Sequence, residues 1–177
     1  MNIVLVGYRG TGKSTIANIL SARLKWPTFN LDEAIVEEAG MSIPQIVKNH
    51  GWEFFREIES RMVCRAGKKD RTIIDAGGGV VIRFDNVKIL RQNGVIIWLK
   101  ADPETIVNRI RDDTQRPSLT GKKTFLEEIE EVLNERTPKY REAADYEIET
   151  NRLFPGAVAG EILEYLEGKI SHSGAAG

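Results

Sequence analysis

The run Asn2–Val6, "NIVLV", passes directly into "GYRGTGKST", residues 7 to 15. A short β-branched run closed by glycine reads as a buried strand. The loop after it carries two glycines five apart, then a lysine and a serine. Gly7-x-x-x-x-Gly12-Lys13-Ser14 fits the Walker A phosphate-loop pattern at every position, and Ile16, Ile19, Leu20 and Leu24 then recur at helical spacing. Strand, glycine loop and helix in this order admit few folds. Glycines let successive backbone N–H groups face a polyphosphate with no Cβ in the way, and the helix starting near Lys13 adds its positive end. Lys13 is expected to reach the β- and γ-phosphates of a nucleoside triphosphate, and Ser14 to put its hydroxyl on Mg2+. Gly10, Thr11, Gly12, Lys13, Ser14 and Thr15 form the expected cradle.

Strand-like and helix-like segments alternate through the rest of the chain. "PTFNL" reads as a second strand and "DEAIVEEAG" as a helix ended by Gly40. Ser42 caps a further helix with Pro44 in its first turn, and "WEFFREIESRMVCRAGKK" is a long amphipathic one. Arg71–Asp75 is a strand entering "AGGG", "DNVKILRQNG" a helix, and Gly94–Leu99 a buried strand. Asp102 and Pro103 open the next helix. "RDDTQRPSLTGKK" is polar, with Pro, Gly and few apolar anchors, and reads as a mobile lid at about 112–123. Thr124 and Glu127 form a capping box, Thr137–Pro138 is expected to start another helix, "YEIET" is a last strand and Phe154–Ile170 a last helix. The alternation predicts an α/β fold: three layers, with a mainly parallel five-stranded sheet between helices. One domain is expected over residues 1–170, with acceptor-binding helices at about 32–66 and a disordered tail at 171–177.

Composition narrows the function classes. The 177 residues suffice for one domain with a full-sized core, and a net charge of −1 gives no reason to expect nucleic acid as a partner. No apolar stretch approaches the roughly 20 residues of a membrane span. The early strand leaves no room for a signal peptide, and Cys64 is the single cysteine, so a cytoplasmic location is expected. Cys64 itself is expected to be a buried small hydrophobe, Phe54 and Phe55 core or pocket wall, and "LEEIEEVLNE" a solvated helix face. His50 and His172 lack partners at ligand spacing, so no metal beyond Mg2+ is expected. A guanine-reading Asn-Lys-x-Asp segment is absent, and the chain is short for a motor. A small-molecule kinase with a lid that excludes water fits best.

Four features mark an acceptor site. Asp32 follows the second strand, at the crevice where open α/β sheets bind ligands. Arg56 and Glu59, in "FREIE", share one helix face, so Arg56 is available to a carboxylate while Glu59 holds it. Gly77, Gly78 and Gly79 allow a ligand close to backbone, and "ERTPKY" supplies Arg136 just ahead of the expected helix. Arg56 and Arg136 together point to an anionic acceptor but not to one particular ring.

From Gly7 to about Tyr140 this series resembles the shikimate kinase family: phosphate loop, aspartate after strand two, F-R-x-x-E, triple glycine, R-P in the lid and E-R-x-P-x-Y. The resemblance implies a P-loop NTPase fold of the nucleoside-monophosphate-kinase type. It implies ATP-dependent phosphorylation of the shikimate 3-hydroxyl to shikimate 3-phosphate, in aromatic amino-acid biosynthesis, with ATP and Mg2+, by a monomer. Asp32 would accept the hydroxyl proton or orient that oxygen. Arg56 and Arg136 would clamp the substrate carboxylate against the Gly77–Gly79 backbone. Arg116 would close over the phosphates as a charge stabiliser, beside Lys13. Arg109 would lie against adenine, as would the segment Asn151 to Pro155.

The chain also departs from that pattern. Asn30 stands where the family commonly has the first acid of Asp-x-Asp, Trp52 where it often has an acid, and Ser118 where it usually has leucine. Asp75 stands where the family more often has a small residue. A carboxylate ending an apolar strand suits an Mg2+ shell, so Ser14 and Asp75 are the expected metal-facing pair. Two other readings stand beside the family one. One is a kinase for gluconate or another hydroxy acid; the other is a weakly catalytic paralogue that binds nucleotide and a partner protein.

Overall fold

A computed structural model describes residues 1–110 and 125–173. Five parallel strands form one sheet in the order β2-β3-β1-β4-β5. They are β1 (Asn2–Val6), β2 (Thr28–Asn30), β3 (Ile73–Asp75), β4 (Gly94–Lys100) and β5 (Tyr146–Glu149). Central β1 is buried along its whole length, whereas edge strands β2 and β5 are half exposed. That is why β1 reads as continuous apolar sequence and β5 alternates.

The pleat of β1 sorts the core into two layers. Val4 and Val6 face one layer, with α2 (Leu31–Ala39), α3 (Ile43–Gly67) and α4 (Phe84–Gln92). Ile3 and Leu5 face the other, with α1 (Lys13–Leu24) and α7 (Pro155–Ser173). Helix α1 after β1 and helix α4 after β3 thus leave neighbouring strands toward opposite faces, which opens a crevice at the carboxyl ends of β1 and β3. Tyr8 joins a smaller cluster beside it with α5 (Pro103–Ile110) and α6 (Phe125–Ala143). Among the described residues no helix is long and apolar enough to cross a membrane.

Several expectations need correction. No new helix starts at Thr137–Pro138, because α6 runs through Pro138 without a break. A proline there removes one donor and crowds the carbonyl four residues back. The turns on both sides are nevertheless anchored, by buried Ile129 and Val132 before it and buried Tyr140 after it. Glu128 of the acidic run is buried, and Cys64 is exposed. Met62, Val63 and Ala66 take the inner face of α3 and Cys64 does not, while Glu128 lies beside Ile129, which packs with Tyr8 and α5. Helix α7 continues to Ser173, three residues into the expected tail. The expected lid at 112–123, with Arg116 and Ser118, lies outside the described residues, as does Thr124.

The two expected helices at Ser42 and Trp52 appear as one element kinked at Gly51. Its backbone there has φ 84° and ψ 172°, a region that essentially only glycine enters. A Cβ at Gly51 would meet nothing within 4 Å, so the constraint is conformational rather than steric crowding. The kink aims the half of α3 that carries Trp52, Phe55 and Arg56 at the crevice. Gly51→Ala is expected to lower the unfolding free energy by about 1–3 kcal/mol in urea titrations. A midpoint equal to wild type would show that the kink is not strained for alanine.

Candidate active site

The phosphate loop leaves β1 and enters α1 at Gly12. Lys13 is buried, and its Nζ donates to the Gly7 carbonyl at 2.9 Å and the Tyr8 carbonyl at 3.0 Å. The Thr11 hydroxyl donates to the same Tyr8 carbonyl at 2.8 Å. The loop is thus closed on itself and preorganised. Gly10, Gly12, Lys13, Ser14 and Thr15 line a cleft of about 640 Å³, together with Asn30, Asp32, Asp75 and Arg109. The structure therefore gathers the expected cradle residues in one place; Thr11 supports the loop from its buried side.

At the far wall of this cleft the Ser14 hydroxyl donates to Asp75 Oδ2 at 2.5 Å. Asp75 ends β3 and is buried; its register partner on β2 is Asn30. The Asn30 side chain accepts from the backbone N–H groups of Asp32 at 2.9 Å and Glu33 at 3.2 Å, so it caps α2. An asparagine just before an amphipathic run with acids in its first turn is a readable cap signal, and it explains the residue without any metal. The cap also sets Asp32 in the first turn of α2. A Cβ placed on Gly77 would lie 3.5 Å from Asp32 Oδ1, which puts that carboxylate beside the glycine loop.

A second, narrower cavity adjoins the cleft. Arg56, Glu59, Gly78, Gly79 and Arg136 line it, with Asp32 again at its edge. Arg56 is buried, and its Nη1 donates to both carboxylate oxygens of Glu59 at 2.8 Å. Its guanidinium also lies over the Phe55 ring, 5.0 Å from the centroid, and near Trp52 at 5.7 Å. Gly79 is required by this packing: a Cβ there would fall 2.1 Å from Arg56 Nη1, an atom that Glu59 holds in place. Arg136 Nη1 donates to the Gly78 carbonyl at 3.3 Å, and its buried Nε has no partner among the described residues. The Tyr140 hydroxyl donates to the same carbonyl at 2.5 Å. Burial pushes that phenol up to about 12, so it remains a donor.

Tyr8, Arg9, Ile43 and Trp52 complete this cavity and were missed as site residues. Tyr8 and Arg9 lie inside the phosphate loop and Trp52 one helical turn before Arg56, local signals that could have marked them; Ile43 carries none. Phe55 lines the wall as expected, whereas Phe54 is exposed. Arg109 sits at the cleft edge, where Nη1 donates to the Gly10 carbonyl at 3.2 Å and Nη2 to the Thr150 carbonyl at 2.7 Å. Asn151 is pinned to the start of α5, accepting from the Asp102 N–H at 2.8 Å.

Burial raises the Glu59 carboxyl above its ordinary value of 4.5, with Arg56 pulling the other way. The folded protein therefore binds that proton more tightly than the unfolded chain does. The stabilising contribution is full below the ordinary value and is lost as pH rises through the raised one. Glu59→Gln removes the titration while keeping the shape. Urea unfolding between pH 4 and 8 is expected to show wild-type stability falling relative to this variant as pH rises. A gap that moves the other way would mean that Arg56 outweighs burial.

Comparison with known proteins agrees with this geometry. The family model described as shikimate kinase matches residues 9–167. The shikimate kinase of Caldicellulosiruptor bescii is 41% identical over 163 residues, covering 92% of this chain and 93% of that one. Among solved structures, the shikimate kinase of Acinetobacter baumannii in complex with shikimate superposes with a TM-score of 0.89 at 30% identity, covering 95% of this chain and 93% of the other. The Aquifex aeolicus shikimate kinase gives 0.82 at 31% identity, over 96% and 98%. The YorR protein of Bacillus subtilis, in complex with phosphorylated GDP, shares the fold alone, with a TM-score of 0.60 at 20% identity. With a family match over most of its length, and with the sheet order and glycine loop of a P-loop kinase, this chain belongs to the shikimate kinase family.

Proposed function

We propose that this phosphotransferase moves the γ-phosphoryl group of ATP to the 3-hydroxyl of shikimate, giving shikimate 3-phosphate for aromatic amino-acid biosynthesis. The observation that carries the reading is the meeting of two cavities at Asp32: a phosphate cleft on one side, and a pocket with two buried arginines on the other. ATP occupies the cleft on the Gly10–Thr15 loop, with Lys13 released from the loop carbonyls to the β- and γ-phosphates. Arg109 stands on the nucleotide side, toward adenine. Shikimate docks with its carboxylate on Arg56 and Arg136, and its ring against the Gly77–Gly79 backbone. Arg136 Nε, buried without a partner among the described residues, suits a ligand carboxylate. Asp32 orients the attacking hydroxyl and takes its proton. Arg116, which lies outside the described residues, would add a further positive charge to the phosphates. Positioning and charge stabilisation supply most of the acceleration. The enzyme is expected to act as a cytoplasmic monomer.

Ser14 and Asp75 suit Mg2+, a hard cation that takes oxygen ligands, because both present oxygen atoms to the phosphate cleft within 2.5 Å of each other. Bound there, the ion would offset charge on the β- and γ-phosphates. Asn30 is an unsuitable substitute, since its oxygen already accepts two backbone N–H groups. Asp75→Asn is expected to weaken Mn2+ binding to the ADP complex, read by electron paramagnetic resonance, and to raise the Mg2+ concentration needed for turnover. Unchanged Mn2+ affinity would remove Asp75 from the metal shell.

The acceptor is tested by ADP release with MgATP and shikimate, gluconate or no acceptor. Release should require shikimate. Asp32→Asn should lower it about 10²–10⁴-fold, the usual worth of a positioned acid or base. Preference for gluconate would keep the chemistry and move the substrate. Acceptor-independent release would refute the reading.

A further inference from the structure

Among the described residues, the phosphate cleft and the acceptor pocket share two side chains, Asp32 and Arg9. Arg9 occupies a position that the phosphate-loop pattern leaves free, since that pattern asks only for the glycines, the lysine and the hydroxyl. Its guanidinium lies 5.8 Å from the centroid of the Tyr8 ring, and that buried ring is itself part of the acceptor pocket. Arg9 therefore stands at the seam that a phosphoryl group must cross.

The charges around the seam give that position a consequence. Arg56 and Arg136 line the acceptor pocket but not the phosphate cleft, and Lys13 and Arg109 line the phosphate cleft but not the acceptor pocket. Transfer moves a negatively charged phosphoryl group from the cleft toward Asp32, which is itself an acid, and the ester formed there is a dianion once the hydroxyl proton has left. Cations that stay on the cleft side are left behind by that movement. Of the cationic side chains described, Arg9 alone lines both sides.

Resting on the reaction proposed above, we infer that Arg9 is a catalytic residue that accompanies the phosphoryl group across the seam and then holds the phosphate ester of the product. The acceptor oxygen forms a bond to the γ-phosphorus as the bond from that phosphorus to the bridging oxygen of ADP breaks. The hydroxyl proton passes to Asp32. Arg9 keeps its own protons and donates N–H bonds to the phosphoryl oxygens, first in the transition state and then in the product. A planar guanidinium suits that task because two of its N–H groups can engage one phosphate at once. Arg9 thereby acts on the acceptor side, complementing Lys13 on the donor side.

The test compares wild type with Arg9→Gln and Arg9→Lys by calorimetric titration with shikimate, shikimate 3-phosphate and ADP, and by turnover. Arg9→Gln should weaken shikimate 3-phosphate roughly tenfold or more, as expected for a lost hydrogen bond to a charged group. Shikimate affinity should change by less than about threefold, because its carboxylate is held elsewhere. Turnover should fall with product affinity, and Arg9→Lys should recover part of both. Equal losses for shikimate and its phosphate would make Arg9 a wall of the pocket and overturn the inference. So would a Gln variant with wild-type turnover and product binding. A wild-type protein that neither binds nor phosphorylates shikimate would overturn the acceptor reading and this inference together; normal wild-type behaviour with an indifferent Arg9 would overturn this inference alone.

Discussion

The hydrogen bond from the Tyr140 hydroxyl to the Gly78 carbonyl ties α6 to the loop that follows β3. The acceptor side of the site depends on it. Arg136 lies one helical turn earlier and donates to the same carbonyl, so the tie also sets where that guanidinium points. Tyr140 is fully buried and stacks on Trp98 of β4, with ring centroids 5.5 Å apart. Sheet, glycine loop and helix thus share one polar atom and one aromatic pair. Burial pushes the phenol up to about 12, so the hydroxyl remains a donor at neutral pH. The contact also accounts for a helix that carries on through Pro138, since turns anchored on both sides outweigh one missing backbone bond.

The pocket opposite α6 is built on a buried ion pair. Taking Arg56 and Glu59 out of water together is a weak source of stability, because desolvation offsets most of the attraction. What the pair provides is a guanidinium held at a fixed place. Glu59 occupies one Nη group from below, the Phe55 face supports the plane, and Gly79 leaves room where any side chain would collide. On the proposed reading, a ligand carboxylate would meet a cation that has already lost its water and its rotamer freedom, and both losses would otherwise weaken binding. Burial in this arrangement raises the Glu59 carboxyl above its ordinary value, with Arg56 pulling it back.

Legibility followed the range of the interaction. The glycine loop, β1 and α1 could be read in full because strand, turn and cap signals are local. The Gly40 helix end and the start of α3 after Ser42 were legible for the same reason. Asp32, Arg56 and Glu59 could be found because each sits in a short pattern on one element. Cys64 and Glu128 were misjudged because amphipathic spacing leaves open which side chain at the margin turns inward; the neighbouring elements decide it. Tyr8 and Arg9 come from the phosphate loop, Ile43 and Trp52 from α3, and the meeting of those two segments at one cavity is decided by the fold rather than by any spacing along the chain. The helical state of Pro138 was illegible because tertiary anchors override a local penalty.

The ends of β2 and β3 show how one substitution makes sense only beside another. Asn30 and Asp75 face each other in register across neighbouring strands, which lie about 4.8 Å apart in a sheet. Two carboxylates there would each disfavour ionisation of the other. With the charge on β3 alone, Asp75 can meet the Ser14 hydroxyl as a full acceptor. The amide on β2 still gives α2 what its N-terminus needs, an oxygen for two backbone N–H groups. An aspartate would cap that helix as well, but its charge would then oppose Asp75. The pair therefore divides two tasks between two strands. The uncharged member orders the helix that carries Asp32, and the charged member faces the phosphate cleft.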